Sequence, residues 1–226
     1  GKTVKPMVSS MDHKRALDHD EGLNTGGMGT VAPNPYYTPA VAERCMQEIF
    51  LPTVAAMQAE GCPFKGCLYF GLMLTPDGPK VIEYNCRFGD PETQVVLPLL
   101  ESDLLTVMEA TTNGTLDKTD VKFSDGAAAC VILASGGYPL AYEKGKEITG
   151  LTAGQLNAAD VTVYHAGTAI KDGSLVTNGG RVLGVTATAN TLPEALKKAY
   201  AATESIHFDK LHKRSDIGAR ALAAMQ

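Results

Sequence analysis

The sequence predicts an α+β fold, an antiparallel sheet with helices, divided into two domains at residues 1–122 and 123–226. The first observation is a hairpin pattern, in which the apolar runs CLYFGLMLT and PKVIEYN flank the turn sequence PDG. The second is the polar, turn-rich stretch at 113–126, where we place the domain boundary. The third is the change after that stretch to several short strands followed by one helix, a small α+β unit.

The N-terminal third predicts a strand, a long loop and a helix. KPMVSS at residues 5–10 is typical of a strand, and the Gly- and Pro-rich residues 11–37 indicate a binding loop or lid. Thr38 is the expected helix N-cap, and Pro39 suits the first turn. We expect Pro52 to kink this helix or split it in two.

The remaining elements follow from hydrophobic pattern and capping. Both hairpin strands are apolar on both faces at their centres, so we expect the hairpin to lie in a sheet covered on both sides. Residues 92–112 predict one or two helices, with Ser102 as a cap. AAACVILAS, VTVYHAGTAI, SLVTNGG and RVLGVTATA then predict strands, and Thr191 is the expected cap of a last helix.

Composition excludes some classes of function. The 226 residues are 44% hydrophobic and 20% charged, which is typical of globular proteins. A net charge of −5 disfavours nucleic acid as the main partner, and no apolar run is long enough to span a membrane. Most of the five cysteines lie in apolar runs, which predicts reduced, buried thiols in a cytoplasmic protein. The histidines lack zinc-ligand spacing, and we expect no zinc site.

One stretch, VIEYNCRFGDPETQ, carries the strongest chemical pattern. Alternate residues of a strand share a face, so Glu83, Asn85 and Arg87 are expected to line up. A carboxylate beside an amide oxygen suits Mg²⁺, and an arginine suits phosphate or carboxylate. The alternative is a solvated strand face with a Glu–Arg pair. If the strand is sheltered, unpaired charges on it would be costly, which favours a functional face.

Two further stretches are candidate binding segments. The three glycines of NTGGMG, residues 24–29, would let the backbone approach a ligand and present N–H groups to an anion. The alternative is a mobile turn, since neither Walker A nor dinucleotide spacing is present. The charged residues DHKR at 12–15 follow the predicted strand, where they are either solvated or in contact with phosphate.

Six stretches together resemble one family. They are MVSSMDHKR, GLNTGGMGTVAPNP, GLMLTPDGPKVIEYNCRFGDPETQ, ASGGYP, HAGT and VTNGGRVLGVTA. They resemble the C-terminal part of the phosphoribosylamine–glycine ligases (glycinamide ribonucleotide synthetases), ATP-grasp enzymes of de novo purine synthesis. The resemblance runs over nearly the whole chain. It implies the second half of an ATP-grasp domain followed by a small α+β C-terminal domain.

The resemblance also implies a reaction and its residues. ATP phosphorylates the glycine carboxylate, giving glycyl phosphate and ADP; the amine of 5-phosphoribosylamine then displaces phosphate to give glycinamide ribonucleotide. By resemblance, Glu83 and Asn85 bind Mg²⁺ (or Mn²⁺), and Arg87 faces the transferring phosphoryl group or the acyl phosphate. The implied substrate- and phosphate-binding residues are Asp12, Lys14, Asn24, Thr25, Gly26, Gly27 and Gly29.

The chain departs from the family pattern in two ways. Many ATP-grasp members carry a further metal-binding Glu on the preceding strand, where this chain has Gly71 in YFGLMLT. The family's N-terminal domain and its ATP-binding half with a phosphate-binding Lys have no counterpart in the sequence. The chain also opens on GKTVK, like the second half of a hairpin. We therefore expect a fragment that binds ATP weakly and does not turn over alone.

The expected partners are ATP, glycine, phosphoribosylamine and the remaining N-terminal part of the same enzyme. Two alternatives stay open. One is a different ATP-grasp ligase or carboxylase. The other is an inactive fragment that serves only in interaction, which the intact E-x-N-x-R pattern disfavours.

Overall fold

The computed structural model describes residues 1–151 and 160–226, which form two compact units. The first unit contains residues 1–8, 35–89 and 100–124, and the second contains residues 9–34, 90–99 and 125–226. All strand pairs are antiparallel and helices accompany them, which confirms the predicted α+β fold class. The domain division between residues 122 and 123 stays a prediction.

The described residues form groups of strands separated by helices. In chain order they are β1 (Met11–Asp12), β2 (Arg15–Leu17), β3 (Glu21–Asn24), β4 (Gly29–Ala32), α1 (Pro39–Cys45), α2 (Leu51–Ala59), β5 (Tyr69–Thr75), β6 (Gly78–Asn85), α3 (Thr93–Val96), α4 (Leu104–Asn113), β7 (Ala127–Ser135), β8 (Val161–His165), β9 (Thr168–Lys171), β10 (Ser174–Thr177), β11 (Arg181–Ala189), α5 (Leu192–Thr203), β12 (Leu211–His212) and α6 (Ala219–Ala224). Short 3-10 helices occupy Asp18–Asp20, Leu97–Leu99 and Leu116–Lys118, and a π-helical turn, Met46–Phe50, joins α1 to α2.

Helix α1, in the first unit, begins at the cap that the sequence predicts. Thr38 caps α1 by accepting a hydrogen bond from the Val41 N–H at 3.4 Å. The π-helical turn lies just before Pro52, and within it the Leu51 N–H donates to the Met46 carbonyl five residues back. Because proline has no N–H to donate, a widened turn at this point lets the helix continue into α2.

The hairpin β5–β6 contains a bulge that sets the direction of its side chains. Gly71 pairs with Glu83, but the next pair is Leu72 with Val81, which leaves Ile82 as the extra residue. Val81 packs with Phe70 and Leu72 against the helical residues Cys45, Ile49 and Phe50. Since a bulge shifts the alternation of faces, Glu83 is directed to the side away from Val81.

The expectation of a hairpin covered on both sides is wrong. In the part of the chain that the structure describes, helical residues pack against the face of Val81, whereas Ile82 is 62% exposed and Met73 is 53% exposed. In the described chain β5 and β6 form a two-stranded sheet. Their apolar sequence therefore does not correspond to two-sided burial in this structure.

The second unit is built on a sheet with the strand order β1-β4-β7-β11-β8, and β12 pairs with the C-terminal end of β7. All nine residues of β7 are buried, as its continuous apolar run predicts. Helix α5 packs on β7 and β11 through Leu192, Ala195, Leu196 and Ala199, a stripe with helical spacing. Strands and a helix form where the sequence predicts them after residue 126, but VTVYHAGTAI divides into β8, which pairs with β11, and β9, which pairs with β10. Thr191 stands at the N-cap of α5 without a side-chain hydrogen bond.

Two predicted features of the N-terminal third are wrong. No strand forms in residues 1–10, and the first strand pairing is Met11 with Val31. Residues 11–37 are not one loop, because they contain β1 to β4. These strands are only two to four residues long, too short to show a hydrophobic period.

The predicted cap of α4 is also one residue off. Asp103, not Ser102, accepts the Thr106 N–H, at 2.7 Å. The Ser102 hydroxyl instead accepts a hydrogen bond from the Lys122 N–H at 2.8 Å. Both residue types cap helices well, so adjacent Ser and Asp leave the choice open at the sequence level.

The cysteines are less buried than predicted. All five are free thiols, but Cys62 and Cys86 are exposed, Cys67 is half-buried, and only Cys45 and Cys130 are buried. Among the helices of residues 1–151 and 160–226, none combines the length and apolar character needed to cross a membrane.

Candidate active-site residues

Two residues of the E-x-N-x-R pattern, Glu83 and Asn85, lie at the end of β6, and Arg87 follows two residues beyond the strand, which is shorter than the pattern predicts. Glu83 lies opposite Gly71, and a Cβ on Gly71 would come within 2.7 Å of the Glu83 Cγ. The glycine therefore makes room for the Glu83 side chain. Arg87 donates from Nη2 to the Asn85 Oδ1 at 3.4 Å and from Nη1 to the Phe88 carbonyl at 2.8 Å. Glu83 and Arg87 are exposed, and Asn85 is half-buried.

The donor set at this strand end fits a hard divalent cation. It offers one carboxylate and one amide oxygen, and the long Arg87–Asn85 contact offers little resistance to replacement. Within the described ranges, no three His, Cys, Asp or Glu side chains are grouped so that they could hold a metal ion. Glu83 and Asn85 would therefore hold Mg²⁺ only together with phosphate oxygens and water, which is how Mg²⁺ is usually bound.

In the second unit, two buried carboxylates flank a lysine. The side chains of Asp12 and Glu92 are 6% and 5% exposed. The Lys14 Nζ lies 2.6 Å from the Asp12 Oδ2 and 4.0 Å from the Glu92 Oε1. Burial, reinforced by the charge of Glu92, raises the pKa of Asp12 to about 6 against the opposing attraction of Lys14. A carboxylate that titrates this close to neutrality is typical of functional sites.

His13 holds the backbone between Asp12 and Lys14 in place. Its Nδ1 lies 3.1 Å from the Gly29 carbonyl, and its Nε2 accepts the Gly218 N–H at 3.0 Å. Both contacts are satisfied only by a neutral ring with its proton on Nδ1. Burial lowers the pKa of His13 in agreement with that state. We therefore assign His13 to holding the segment in place.

The Gly-rich loop does not present its N–H groups as a free anion cradle. The Thr25 N–H donates to the Lys14 carbonyl, the Gly26 N–H to the Tyr138 hydroxyl, and the Gly27 N–H to the Thr25 hydroxyl, at 2.7, 2.9 and 2.9 Å. The loop is thus ordered by its own chain. Its assignment to substrate binding, from Asn24 onward, stays a prediction.

Steric demands explain two of the glycines in this segment. Gly27 has φ +112°, and a Cβ there would lie 2.5 Å from the Pro91 Cδ and 2.6 Å from the Asp12 Oδ1. Gly29 lies in β4, and its Cβ would lie 2.7 Å from the Cys130 carbonyl oxygen. Gly27 therefore permits the loop to lie against Asp12, and Gly29 permits close packing on β7.

Reasoning from the sequence missed two side chains that contact this loop. Tyr138 accepts the Gly26 N–H, and Arg181 donates to the Gly26 carbonyl at 2.8 Å. Each directly follows a glycine pair, Gly136-Gly137 or Gly179-Gly180, a pattern that is typical of turns. These glycine pairs are the sequence feature that marks the positions of Tyr138 and Arg181. The structure brings Asp12, Lys14 and the Gly-rich loop together in the second unit, whereas Glu83, Asn85 and Arg87 belong to the first.

Comparison with known proteins decides the family. A family model described as the ATP-grasp (A) domain of phosphoribosylglycinamide synthetase matches residues 1–93, and one for its C domain matches residues 128–220. The phosphoribosylamine–glycine ligase of Vibrio vulnificus (strain YJ016) is 50% identical over 227 residues, covering 100% of this chain and 52% of that protein. The chain belongs to the phosphoribosylglycinamide synthetase family.

Other members of the synthetase family agree. The trifunctional purine biosynthetic protein adenosine-3 of Gallus gallus is 50% identical over 224 residues, which are 99% of this chain and 22% of that protein. The crystal structure of phosphoribosylamine–glycine ligase from Thermotoga maritima matches with a TM-score of 0.82 at 40% identity, over 93% of this chain and 51% of that one. The chain spans about half the length of the single-function ligases it matches.

The synthetase family models also divide the candidate residues. The stretch matched by the A-domain model contains the E-x-N-x-R pattern, the Gly-rich loop and the three charged residues Asp12, Lys14 and Glu92, here called the Asp12 cluster. Tyr138 and Arg181, which contact that loop, fall within the stretch matched by the C-domain model. In this member of the synthetase family, the loop of one matched region is therefore held by side chains of the other.

Proposed function

We propose that the chain forms part of an ATP-dependent ligase that joins 5-phosphoribosylamine to glycine. The products are glycinamide ribonucleotide, ADP and phosphate, by way of glycyl phosphate. Family membership supports this activity, and the exposed face at the end of β6 carries the proposal. There a carboxylate, an amide oxygen and a guanidinium lie together on residues 83–87.

The proposed roles follow from the charges involved. Glu83 and Asn85 would hold Mg²⁺ (or Mn²⁺), which when bound neutralises phosphate oxygens. Arg87 is exposed, and among the described residues its guanidinium donates to the adjacent Phe88 carbonyl and, at 3.4 Å, to the Asn85 Oδ1, so it can turn toward an anion at small cost. Phosphoryl transfer depends on positioning and on neutralising charge that spreads in the transition state, and these three side chains supply both.

The Asp12 cluster is proposed to line the substrate side. Asp12 and Lys14 offer one group of each charge, and Lys14 is 46% exposed. Thr25, Gly26, Gly27 and the neighbouring Asn24 and Gly29 would complete this side, in a loop held by hydrogen bonds within its own chain. Preorganisation of this kind lowers the entropy lost on binding.

The experiment is an assay of the natural polypeptide that carries these 226 residues. ADP release is expected to require glycine, phosphoribosylamine and a divalent cation together. ADP release with another carboxylate in place of glycine would indicate a different ATP-grasp ligase or carboxylase. A polypeptide that releases no ADP under any of these conditions would contradict the enzymatic proposal and favour the interaction role.

The 226 residues alone are expected to bind ATP weakly and not to turn over, and robust turnover would contradict that expectation. The remaining N-terminal part of the enzyme is the proposed partner, because relatives such as the Vibrio ligase are about twice as long. A cytoplasmic location stays a prediction.

A further inference from the structure

The backbone N–H and the carbonyl of Gly26, in the Gly-rich loop, are both hydrogen-bonded to side chains that are distant in sequence. The Gly26 N–H donates to the Tyr138 hydroxyl at 2.9 Å, and the Gly26 carbonyl accepts from the Arg181 Nη1 at 2.8 Å. A Cβ on Gly26 would lie 3.0 Å from the Arg181 Cζ and 3.2 Å from the Tyr138 oxygen. These two side chains therefore occupy the space that any larger residue would need.

Arg181 contacts a second segment at the same time. Its Nη1 also donates to the Asp90 carbonyl at 2.9 Å, and its Nη2 lies 3.2 Å from the Asp90 Oδ2. Asp90 comes three residues after Arg87 in the chain. One guanidinium thus bridges the Gly-rich loop and the turn that follows the E-x-N-x-R strand.

Local structure shows that this arrangement is built into the sheet. β11 has a bulge directly after Arg181, since Arg181 pairs with Ala134 and the next pair is Leu183 with Leu133. Bulges re-aim a side chain at the edge of regular pairing. The Arg181 side chain is 19% exposed, whereas that of Asp90 is 51% exposed, so the guanidinium is the more sheltered partner of the pair.

The Tyr138 ring is fixed by the same region. A Cβ on Gly180 would lie 2.2 Å from the Tyr138 Cδ2, so the ring rests on the glycine that precedes Arg181. The Ser135 N–H donates to the Gly180 carbonyl at 2.8 Å, and its hydroxyl donates to the Gly179 carbonyl at 2.8 Å. The two glycines thus tie both loop-holding side chains to the end of β7.

We propose that Arg181 and Tyr138 are positioning residues of the ligase reaction. Arg181 holds the Gly-rich loop and the turn at Asp90 in a fixed position relative to each other, and Tyr138 fixes the orientation of the Gly26 backbone. The role in the reaction rests on the function proposed above, whereas the contacts themselves do not. The guanidinium reaches its acceptors from two nitrogens, Nη1 to the two carbonyls and Nη2 to the carboxylate, whereas a lysine has one nitrogen to place, so lysine is a poor replacement.

The test compares Arg181→Ala, Arg181→Lys and Tyr138→Phe in the natural polypeptide, with Lys198→Ala as the control. Lys198 lies in the same unit, where its Nζ donates to Asp160 at 2.7 Å and to the Thr188 carbonyl at 3.4 Å. Hydrogen exchange is measured for peptides spanning residues 24–29, 88–94 and β11, and kcat and the KM for ATP are measured in parallel. Tyr138→Phe removes a single hydroxyl, which keeps the test decisive if Arg181→Ala does not fold.

Arg181→Ala is expected to exchange at least about tenfold faster in residues 24–29 and 88–94, with β11 unchanged, and to lose about 100-fold in kcat. Arg181→Lys should recover part of the kcat, and Tyr138→Phe should affect exchange at 24–29 only. Wild-type kcat in Arg181→Ala, or faster exchange spread over all of β11, would overturn the inference. If the wild-type polypeptide has no ligase activity, the proposed function and the catalytic role both fail. Unchanged exchange at 24–29 and 88–94 would separately contradict the holding role.

Discussion

Replacing Asp12 by Asn is expected to stabilise the second unit at neutral pH. Asn retains the oxygen that accepts the His13 N–H at 2.8 Å, but it carries no charge to bury. The folded pKa of Asp12, about 6, lies above its ordinary value of 3.8. The folded state therefore binds the proton more tightly than the unfolded state does, and stability is lost as pH rises from about 4 to about 6.

The pKa shift of Asp12 sets the size of the expected stability difference between Asp12→Asn and the wild type. Each pKa unit is worth about 1.36 kcal/mol, so ionised Asp12 costs about 3 kcal/mol at pH 8 and roughly half of that at pH 5. The opposing attraction of Lys14 is already contained in the shifted pKa. His13 is present in both proteins, so its own pH dependence cancels in the comparison.

Urea unfolding of the wild type and Asp12→Asn at pH 8 and pH 5 measures these values. Asp209→Asn is the matched control, because the Asp209 side chain is 62% exposed beside Lys146 and its removal should change stability by less than about 1 kcal/mol. If Asp12→Asn is less stable than the wild type at pH 8, or if the difference does not depend on pH, the burial argument is wrong. The same variant should lose ligase activity if Asp12 lines the substrate side, a stability gain with a functional loss.

Further predictions concern the backbone and the thiols. Gly27→Ala should lower the free energy of unfolding by about 2–4 kcal/mol, because a Cβ there would lie 2.5 Å from a proline ring, whereas Gly145→Ala, also at positive φ but with nothing within 4 Å, should cost about 1 kcal/mol. Thermal melts decide this, and equal losses would refute the steric argument. In native protein, an aromatic disulfide reagent should react quickly with exposed Cys62 and Cys86 and not with Cys130, whose pKa burial raises to about 12. Rapid modification of Cys130 would contradict its burial.

The sequence predicts elements whose signal is local. The cap at Thr38, the buried run of β7 and the hairpin β5–β6 depend on neighbouring residues, and all three are confirmed. The bulge at Ile82 has no such signal, although it decides where Glu83 points. Alternation alone would place residue 81 on the same face as Glu83, whereas the bulge puts them on opposite faces, with Val81 packed against the helices.

Contacts between distant residues account for the rest. Arg181 and Gly26 are 155 positions apart, and His13 and Gly218 are 205 positions apart, so no local pattern relates them. The short strands β1 to β4 form because each has a pairing partner, whereas the Gly- and Pro-rich stretch that contains them indicates a loop. The raised pKa of Asp12 likewise depends on burial beside Glu92, which pairwise spacing does not show.

The proposed function requires the end of β6 to bind the metal and Arg87 to bind the phosphate. The most direct measurement is Mn²⁺ binding in the presence of ATP, followed by electron paramagnetic resonance together with ADP release, in the natural polypeptide and its Glu83→Gln variant. Glu109→Gln, at an exposed carboxylate on α4 in the same unit, is the control. We expect Glu83→Gln to weaken Mn²⁺ binding and to lower the rate by at least about 100-fold, with Glu109→Gln unchanged. Wild-type Mn²⁺ affinity and turnover in Glu83→Gln would contradict the account.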